Sequence, residues 1–329
     1  MEEMNGQEKR IYYMDSCKGM LIVLMVAGHC LALYREDKIC DVLYWLIYSF
    51  HMPVFIFVSG CFSKNLDKPL CKLFQELIVP MIPFELLYWV IHFGGGGNAY
   101  PFLTPIYAYW YMIVLFFCRA ANQIAARIRG MLILSVSVGL LAGYNTYIGE
   151  YFTLSRFLYL FPFFFLGYRM KSGQLERIRK MKFWIPAAAC LAAALLFCWL
   201  YEWTGGKLDV LYMKEPYQEA GDIVIRISQY LTSLLMILVL VRVMPGKKNI
   251  LTRFGKATYL IYMLNFYFVE ILSRLLPEGI APGWNALVCF LYTFGAVLVM
   301  SSELSRKIFE KMRKGVERVI FAESFVSRL

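Results

Sequence analysis

The residues best able to do chemistry stand in the first long apolar stretch, MDSCKGMLIVLMVAGHC, where Lys18 and His29 are eleven positions apart. On a helix, eleven steps of about 100° return to within roughly 20° of the starting direction and rise about 16 Å. A cation and an imidazole therefore share one face, the first at the end of the stretch and the second well inside it. Ionisable groups in hydrocarbon are expensive and are candidates for function. The second stretch carries SFHMPVFIFVSG, and if it runs back across the same layer, His51 lies about 14 Å from its outer end, close to the depth of His29. Neutral imidazole takes a proton from a hydroxyl near pH 7, and a second imidazole is suited to bind substrate or to orient the first. A single buried histidine is more often a hydrogen-bonded structural residue; two at matching depth beside a basic end read as a site.

The other ionisable groups in apolar surroundings are few. Asp15 precedes Lys18 by one helical turn and orients it. Lys72 lies at the same basic end, where Lys18, Lys72 and Asp15 are the candidates for holding a phosphate-bearing co-substrate. Glu85 is about 20 Å further along the third stretch. Arg156 and Arg226 fall near the outer ends of the sixth and eighth stretches. An arginine with Glu85 reads either as a buried structural pair or as a fixed cation that grips an acceptor or stabilises an oxyanion.

These side chains need elements to carry them, and composition says what kind. Of 329 residues, 60% are hydrophobic and 17% charged, with a mean hydropathy of +0.55, well above the apolar share of about 45–50% in soluble domains. Ten apolar runs recur at membrane-crossing length: 18–34, 42–62, 73–93, 102–118, 131–149, 154–170, 183–201, 222–244, 257–275 and 284–304. The expected fold is all-α, a polytopic membrane protein of about ten transmembrane helices embedded in a lipid bilayer. The first run lacks a small-residue cleavage site and reads as a retained helix.

The net charge of +11 raises the question of nucleic acid, and placement answers it. Of 34 Lys and Arg, 27 fall at the two ends of the chain and in alternate connections, whereas the remaining connections hold only Arg35, Lys38, Lys207, Lys214 and Arg274. That asymmetry is the positive-inside pattern and predicts a multi-pass protein of the cell membrane with both termini cytoplasmic. No nucleic-acid partner is expected. The nine cysteines show no metal-ligand spacing, and no metal is expected; Cys30 and Cys40 flank the first outer connection, where a disulfide in an oxidising compartment is one reading.

Without an internal repeat or low-complexity tract, the chain divides into a membrane domain over 1–305 and a basic amphipathic tail over 306–329, in which Ile308, Met312, Val316, Val319 and Ile320 share a face. Gly94 to Gly97 reads as a flexible outer turn. The longest outer connection, about 202 to 221, carries Glu202, Asp209, Glu215 and Glu219 and is placed to cover an outer-facing site; acceptor selectivity is expected near residue 210.

DSCKGMLIVLMVAGH followed by SFHMPVFIFVSGCF resembles the opening of the acyltransferase 3 superfamily of integral membrane acyltransferases, in particular the branch related to fucose 4-O-acetylases. The hallmark is a basic residue ten intervening positions before a histidine, matched here by Lys18 and His29. LSRFLYLFPFFFLGYRM resembles that branch's Ser-Arg, Pro-Phe-Phe and Gly, placing Arg156, Pro162 and Gly167 on its pattern. FGKATYLIYMLNF resembles the ninth-helix segment, with Asn265 where the pattern has histidine. The resemblance implies an O-acyltransferase that uses acetyl-CoA or another acyl-CoA and a hydroxyl acceptor such as a sugar or glycan. In that reading His29 is base or transient acyl carrier with His51 beside it, and Arg156, Glu85, Arg226 and Asn265 are the acceptor-side candidates. The competing class is a transporter or proton-coupled permease with His29, His51 and Glu85 as relay groups, against which stands the lack of two comparable halves. A membrane scaffold in which both histidines tolerate substitution ranks last.

Overall fold

A computed structural model describes residues 2–93, 109–148 and 153–320. The Gly94–Gly97 turn, the start of the fourth apolar run and residues 321–329 lie outside the described residues. The described residues are all-α, without a strand: α1 Glu2–Leu31, α2 Lys38–Tyr48, α3 His51–Phe62, α4 Leu70–Leu77, α5 Ile82–Phe93, α6 Trp110–Ala125, α7 Met131–Leu141, α8 Leu154–Arg169, α9 Ser172–Arg179, α10 Trp184–Trp203, α11 Asp222–Val243, α12 Ile250–Lys256, α13 Thr258–Leu275, α14 Trp284–Met300 and α15 Glu303–Ile320.

Among the described residues, each of the ten apolar runs contains helix. Five segments are long and apolar enough on their own to cross a membrane: Tyr12–Tyr34, Lys38–Phe62, Leu70–Ile91, Trp184–Trp203 and Asp222–Val243. A sixth arises if α14 and α15, bent by 58°, are counted together. The other runs form shorter helices; α6 and α8, at 16 residues each, reach about 24 Å against a hydrocarbon core of about 30 Å. The exterior is what lipid requires, with Ile133, Leu134 and Leu141 on α7 and Leu191, Leu195 and Trp199 on α10 all exposed.

The first helix is the hub. Apolar on nearly every side, it buries Cys17, Leu21, Ile22, Val26, Ala27 and Cys30 and packs against α2, α3, α12, α13 and α14. Two crossings are held at backbone distance by glycine. Where α1 meets α12, a Cβ on Gly19 would lie 2.0 Å from the Leu251 carbonyl oxygen and one on Gly255 would lie 1.9 Å from that of Asp15. Where α3 meets α8, Gly60 faces the Phe164 carbonyl and Gly167 that of Phe57 in the same reciprocal way. In a bundle without a hydrophobic drive between helices, such close approach supplies the dispersion contact. Asn249 caps α12 by accepting from the Thr252 amide and donates to Ser16 Oγ at 3.1 Å, tying that short helix to the turn before Lys18.

The nine cysteines are free thiols, so the Cys30–Cys40 disulfide is absent; both are buried, and the Thr293 hydroxyl lies 3.6 Å from Cys30 Sγ. In the tail helix, Phe309 and Met312 pack on the core while Ile308 is 61% exposed.

Candidate active site

The second membrane segment is broken where its histidine stands. Pro53 has no amide to donate to Ser49, and the chain at Phe50 leaves helical geometry (φ −142°) before α3 starts at His51. Broken helix in a bilayer is tolerated only inside protein or along a wet cavity. The break is used at once: His51, 3% exposed, donates from Nδ1 to the Ile47 carbonyl at 2.8 Å. A carbonyl can only accept, so Nδ1 carries the hydrogen and Nε2 bears the lone pair.

Tyr48, the last residue of α2, joins the two histidines. Its hydroxyl meets His29 Nδ1 at 3.3 Å, and its ring centroid lies 4.9 Å from that of His51. His29 and His51 are within electrostatic reach of each other, so the structure brings the two histidines together. Tyr48 also packs on Tyr44 at 4.1 Å, and Tyr44 donates to the Tyr212 hydroxyl at 2.6 Å. Either partner can donate in the Tyr48–His29 contact, so the Tyr48 hydroxyl and the tautomer of His29 are coupled. When the Tyr48 oxygen accepts from Nδ1, Nε2 of His29 is the basic atom.

The outer wall is made by the long connection between α10 and α11. A short turn, Asp209–Tyr212, drives Leu208, Leu211 and Met213 into the interior and sets the Tyr212 ring 5.4 Å from Trp45 and 5.8 Å from Tyr48. Residues near 210 thus contact the histidine cluster through Tyr48. Arg35 stacks on Tyr44 and Trp45 and pairs with Asp41 at 2.9 Å, closing the top.

Both expected arginines come to this wall. Arg156 donates to the Tyr212 carbonyl at 3.2 Å, lies over Trp110 at 4.4 Å and is within electrostatic reach of Tyr48. Arg226 is fully buried; it donates to the Glu215 carbonyl at 3.1 Å and faces the Tyr217 ring at 4.6 Å. Burial pushes the Tyr217 phenol up to about 12, against the pull of the guanidinium beside it. Three and seven residues along α11, on the same stripe, Gln229 donates to the Tyr48 carbonyl at 3.3 Å and Ser233 is buried.

That stripe has too few partners. Among the described residues, Arg226 Nε and Nη1, Gln229 Oε1, Ser233 Oγ and Trp45 Nε1 are buried without a hydrogen bond. Each such atom costs about 1–3 kcal/mol, and native interiors leave few of them. Donors and acceptors kept open beside aromatic rings are what a polyhydroxylated ligand would satisfy.

At the basic end, Lys18 pairs with Asp15 at 2.8 Å and sits 4.3 Å over the Phe62 ring. Phe62 also lines a cleft of about 580 Å³ with Lys72, Arg119 and Asn122, so Lys18 and Lys72 border one region. Arg119, which the sequence reading passed over, has a buried Nε without a partner. Glu85 is within electrostatic reach of Tyr88, Tyr109 and Tyr267, and Asn265, fully buried on α13, donates to the Tyr262 carbonyl and leaves Oδ1 unpartnered.

The class of protein comes from the comparison with known families. Residues 11–302 match the acyltransferase domain family, and the chain belongs to it. It is similar to the nodulation protein NolL of Mesorhizobium japonicum, 32% identical over 98 residues, and to that of Sinorhizobium fredii, 33% identical over 94 residues. Each match covers 26% of this chain, and the chain spans about a quarter of those relatives' length (26% and 24%). No solved structure matches.

Proposed function

We propose that the protein moves an acyl group, most simply acetyl, from acyl-CoA at the cytoplasmic, basic end of the bundle to a hydroxyl of a sugar or glycan held at the aromatic end. The observation that carries this reading is the linked set of Lys18, His29, Tyr48 and His51, a cation at one rim and two imidazoles joined by one phenol in the interior. Lys18 and Lys72 attract the donor's phosphates, with Asp15 holding the Lys18 ammonium in place.

Nε2 of His29 takes the proton as the acceptor oxygen attacks the thioester carbonyl. The new C–O ester bond forms, the C–S bond breaks, and the thiolate of CoA leaves and recovers the proton from the imidazolium. In the two-step variant His29 Nε2 itself attacks, the C–S bond breaks and CoA leaves as the thiolate; the acceptor oxygen then takes the acyl group as the C–N bond to Nε2 breaks, its proton going to the Nε2 lone pair of His51. His51, its tautomer fixed by Ile47, offers a second lone pair to orient the hydroxyl. Arg226, Gln229 and Ser233 supply donors and acceptors for the other hydroxyls, with Arg156 beside them, and the rings of Trp45 and Tyr212 supply apolar faces.

Replacing His29 by Ala in the purified, lipid-reconstituted chain is expected to lower transfer by about 10²–10⁴-fold at unchanged thermal stability. Acetyl-ester formation on a glycan acceptor with labelled acetyl-CoA measures it. Normal turnover in that variant removes the base assignment.

A further inference from the structure

A second cleft, on the other side of Glu76 from the Lys72 region, is assigned nothing by the reaction above. It encloses about 900 Å³ between α12, the start of α13 and the returning tail helix α15, and Glu76, paired with Lys68, lines both clefts. Its two basic walls differ. On the α15 side Arg306 is engaged by Glu303 and Glu310, and Arg313 lies 3.7 Å from Glu317. On the α12 side, Lys248, Arg253 and Lys256 have no carboxylate partner among the described residues. Arg253 donates only to the Ser301 carbonyl, at 3.3 and 3.4 Å, and Lys256 lies 6.0 Å over the Tyr12 ring. Three cations on one rigid wall, held to α1 by the glycine crossing, is an arrangement for more than one negative charge.

Aromatic rings complete it. Tyr259 and Phe309, both half-buried and 5.8 Å apart, edge the same cleft. Phosphate-directed cations beside rings able to take a planar base fit a nucleotide better than a lipid headgroup, which has no base to stack.

We propose that this cleft binds the adenosine phosphate end of the acyl-CoA donor, with the base against Tyr259 and Phe309 and the ribose-side phosphates on Lys248, Arg253 and Lys256, which leaves the remaining phosphate, on the pantetheine side, to Lys18 and Lys72. The proposal rests on the acyl-CoA reading above. The α12 wall is bonded to Ser16 and seated on Asp15, so the nucleotide is held one turn from Lys18 and the thioester arm is left to run toward His29. The tail helix, which contributes Phe309, is then part of the donor site as well as an anchor.

Adenosine 3′,5′-bisphosphate, which lacks the thioester arm, is the probe, titrated calorimetrically against the full chain in phosphatidylcholine nanodiscs. Wild type is expected to bind it, and R253Q/K256Q to weaken it by about tenfold or more. The same variant is expected to raise KM for acetyl-CoA rather than lower kcat, and to erase the preference for acetyl-CoA over S-acetylpantetheine, with R253K/K256R restoring both. Phe309→Leu carries the test if the double variant fails to fold, with binding expected to fall about fivefold or more. Unaltered bisphosphate affinity in these variants, with Lys18→Gln still weakening acetyl-CoA, overturns the proposal and leaves the donor reading intact. If wild type binds neither acetyl-CoA nor the bisphosphate, the donor reading fails and takes this one with it. A cleft that ignores the bisphosphate but titrates with phosphatidylglycerol in the nanodisc is a lipid site, and the proposal is wrong.

Discussion

The α1–α12 crossing and the Tyr48 cluster are both buried, and they are built on opposite principles. At the crossing, backbone touches backbone through Gly19 and Gly255, the cap of α12 is bonded in both directions, and Lys18 has its carboxylate one turn away. At the Tyr48 cluster the helix is broken, two imidazoles share a phenol, and Arg226, Gln229, Ser233 and Trp45 keep polar atoms without partners. The first region is finished by folding. The second leaves polar atoms open, as a substrate site is expected to.

If that contrast is right, substitutions in the two regions should fail in different ways. The largest effect belongs to the cluster. His51→Ala, which deletes a lone pair held by Ile47, is expected to cost about 10²–10⁴-fold in transfer while the unfolding temperature in detergent stays near wild type. A collapse of folding instead would mean that His51 is a structural pin.

The packed crossings should give the mirror image. Gly60→Leu puts a side chain where a Cβ already lies 2.1 Å from the Phe164 oxygen, a backbone atom that cannot step aside. Overpacking of this kind costs about 1–3 kcal/mol or more, read as a lower unfolding temperature and reduced yield of monodisperse protein. A Gly60→Leu chain as stable as wild type would show that α3 and α8 slide freely and that the crossing is not a frame.

Arg226→Met sharpens the comparison most, because stability and function should part company in one variant. It replaces a buried cation that has two unpartnered N–H groups by an apolar chain of similar length. Exchange of such groups for hydrophobic ones is often neutral or stabilising. The unfolding temperature is therefore expected to hold or rise while transfer falls about 10²-fold, the scale for losing one preorganised donor. Equal loss of both would make Arg226 a structural residue bonded to Glu215 and nothing more.

How much of this was legible in the sequence follows the same division. Apolar runs located the helices, because lipid demands them continuously. The eleven-residue spacing placed Lys18 and His29, because a helix converts spacing into direction. Pro53 stood in plain view, yet the break at Ser49–Phe50 and the role of Tyr48 were not read, since they depend on which helix faces which. The same holds for Gln229: its polarity in an apolar run was visible, but its bond to Tyr48 is set by the packing of α11. Arg156 and Arg226 were found by charge alone, and their partners turned out to include backbone carbonyls and rings, which no spacing rule reaches.

The smallest expected effect lies at the outer rim, where a finished contact meets water. Asp37 caps α2 through the Ile39 amide at 3.0 Å and accepts the Gly283 amide at 2.7 Å, joining the connection before α2 to the one before α14. The Gly283 hydrogen bond, helped by Ile39 and Asn285, holds its carboxyl below the ordinary value of 3.8. A depressed carboxyl contributes stability that is fully present above its unfolded pKa and is lost as pH falls through the folded one. Wild type should therefore lose a small increment of stability below about pH 4 that Asp37→Asn lacks, measured as the difference between their unfolding temperatures across pH 3 to 6. Because Asp37 is near solvent, the increment should shrink in high salt. Parallel curves at every pH would mean that the cap geometry, and not the charge, ties those two connections together.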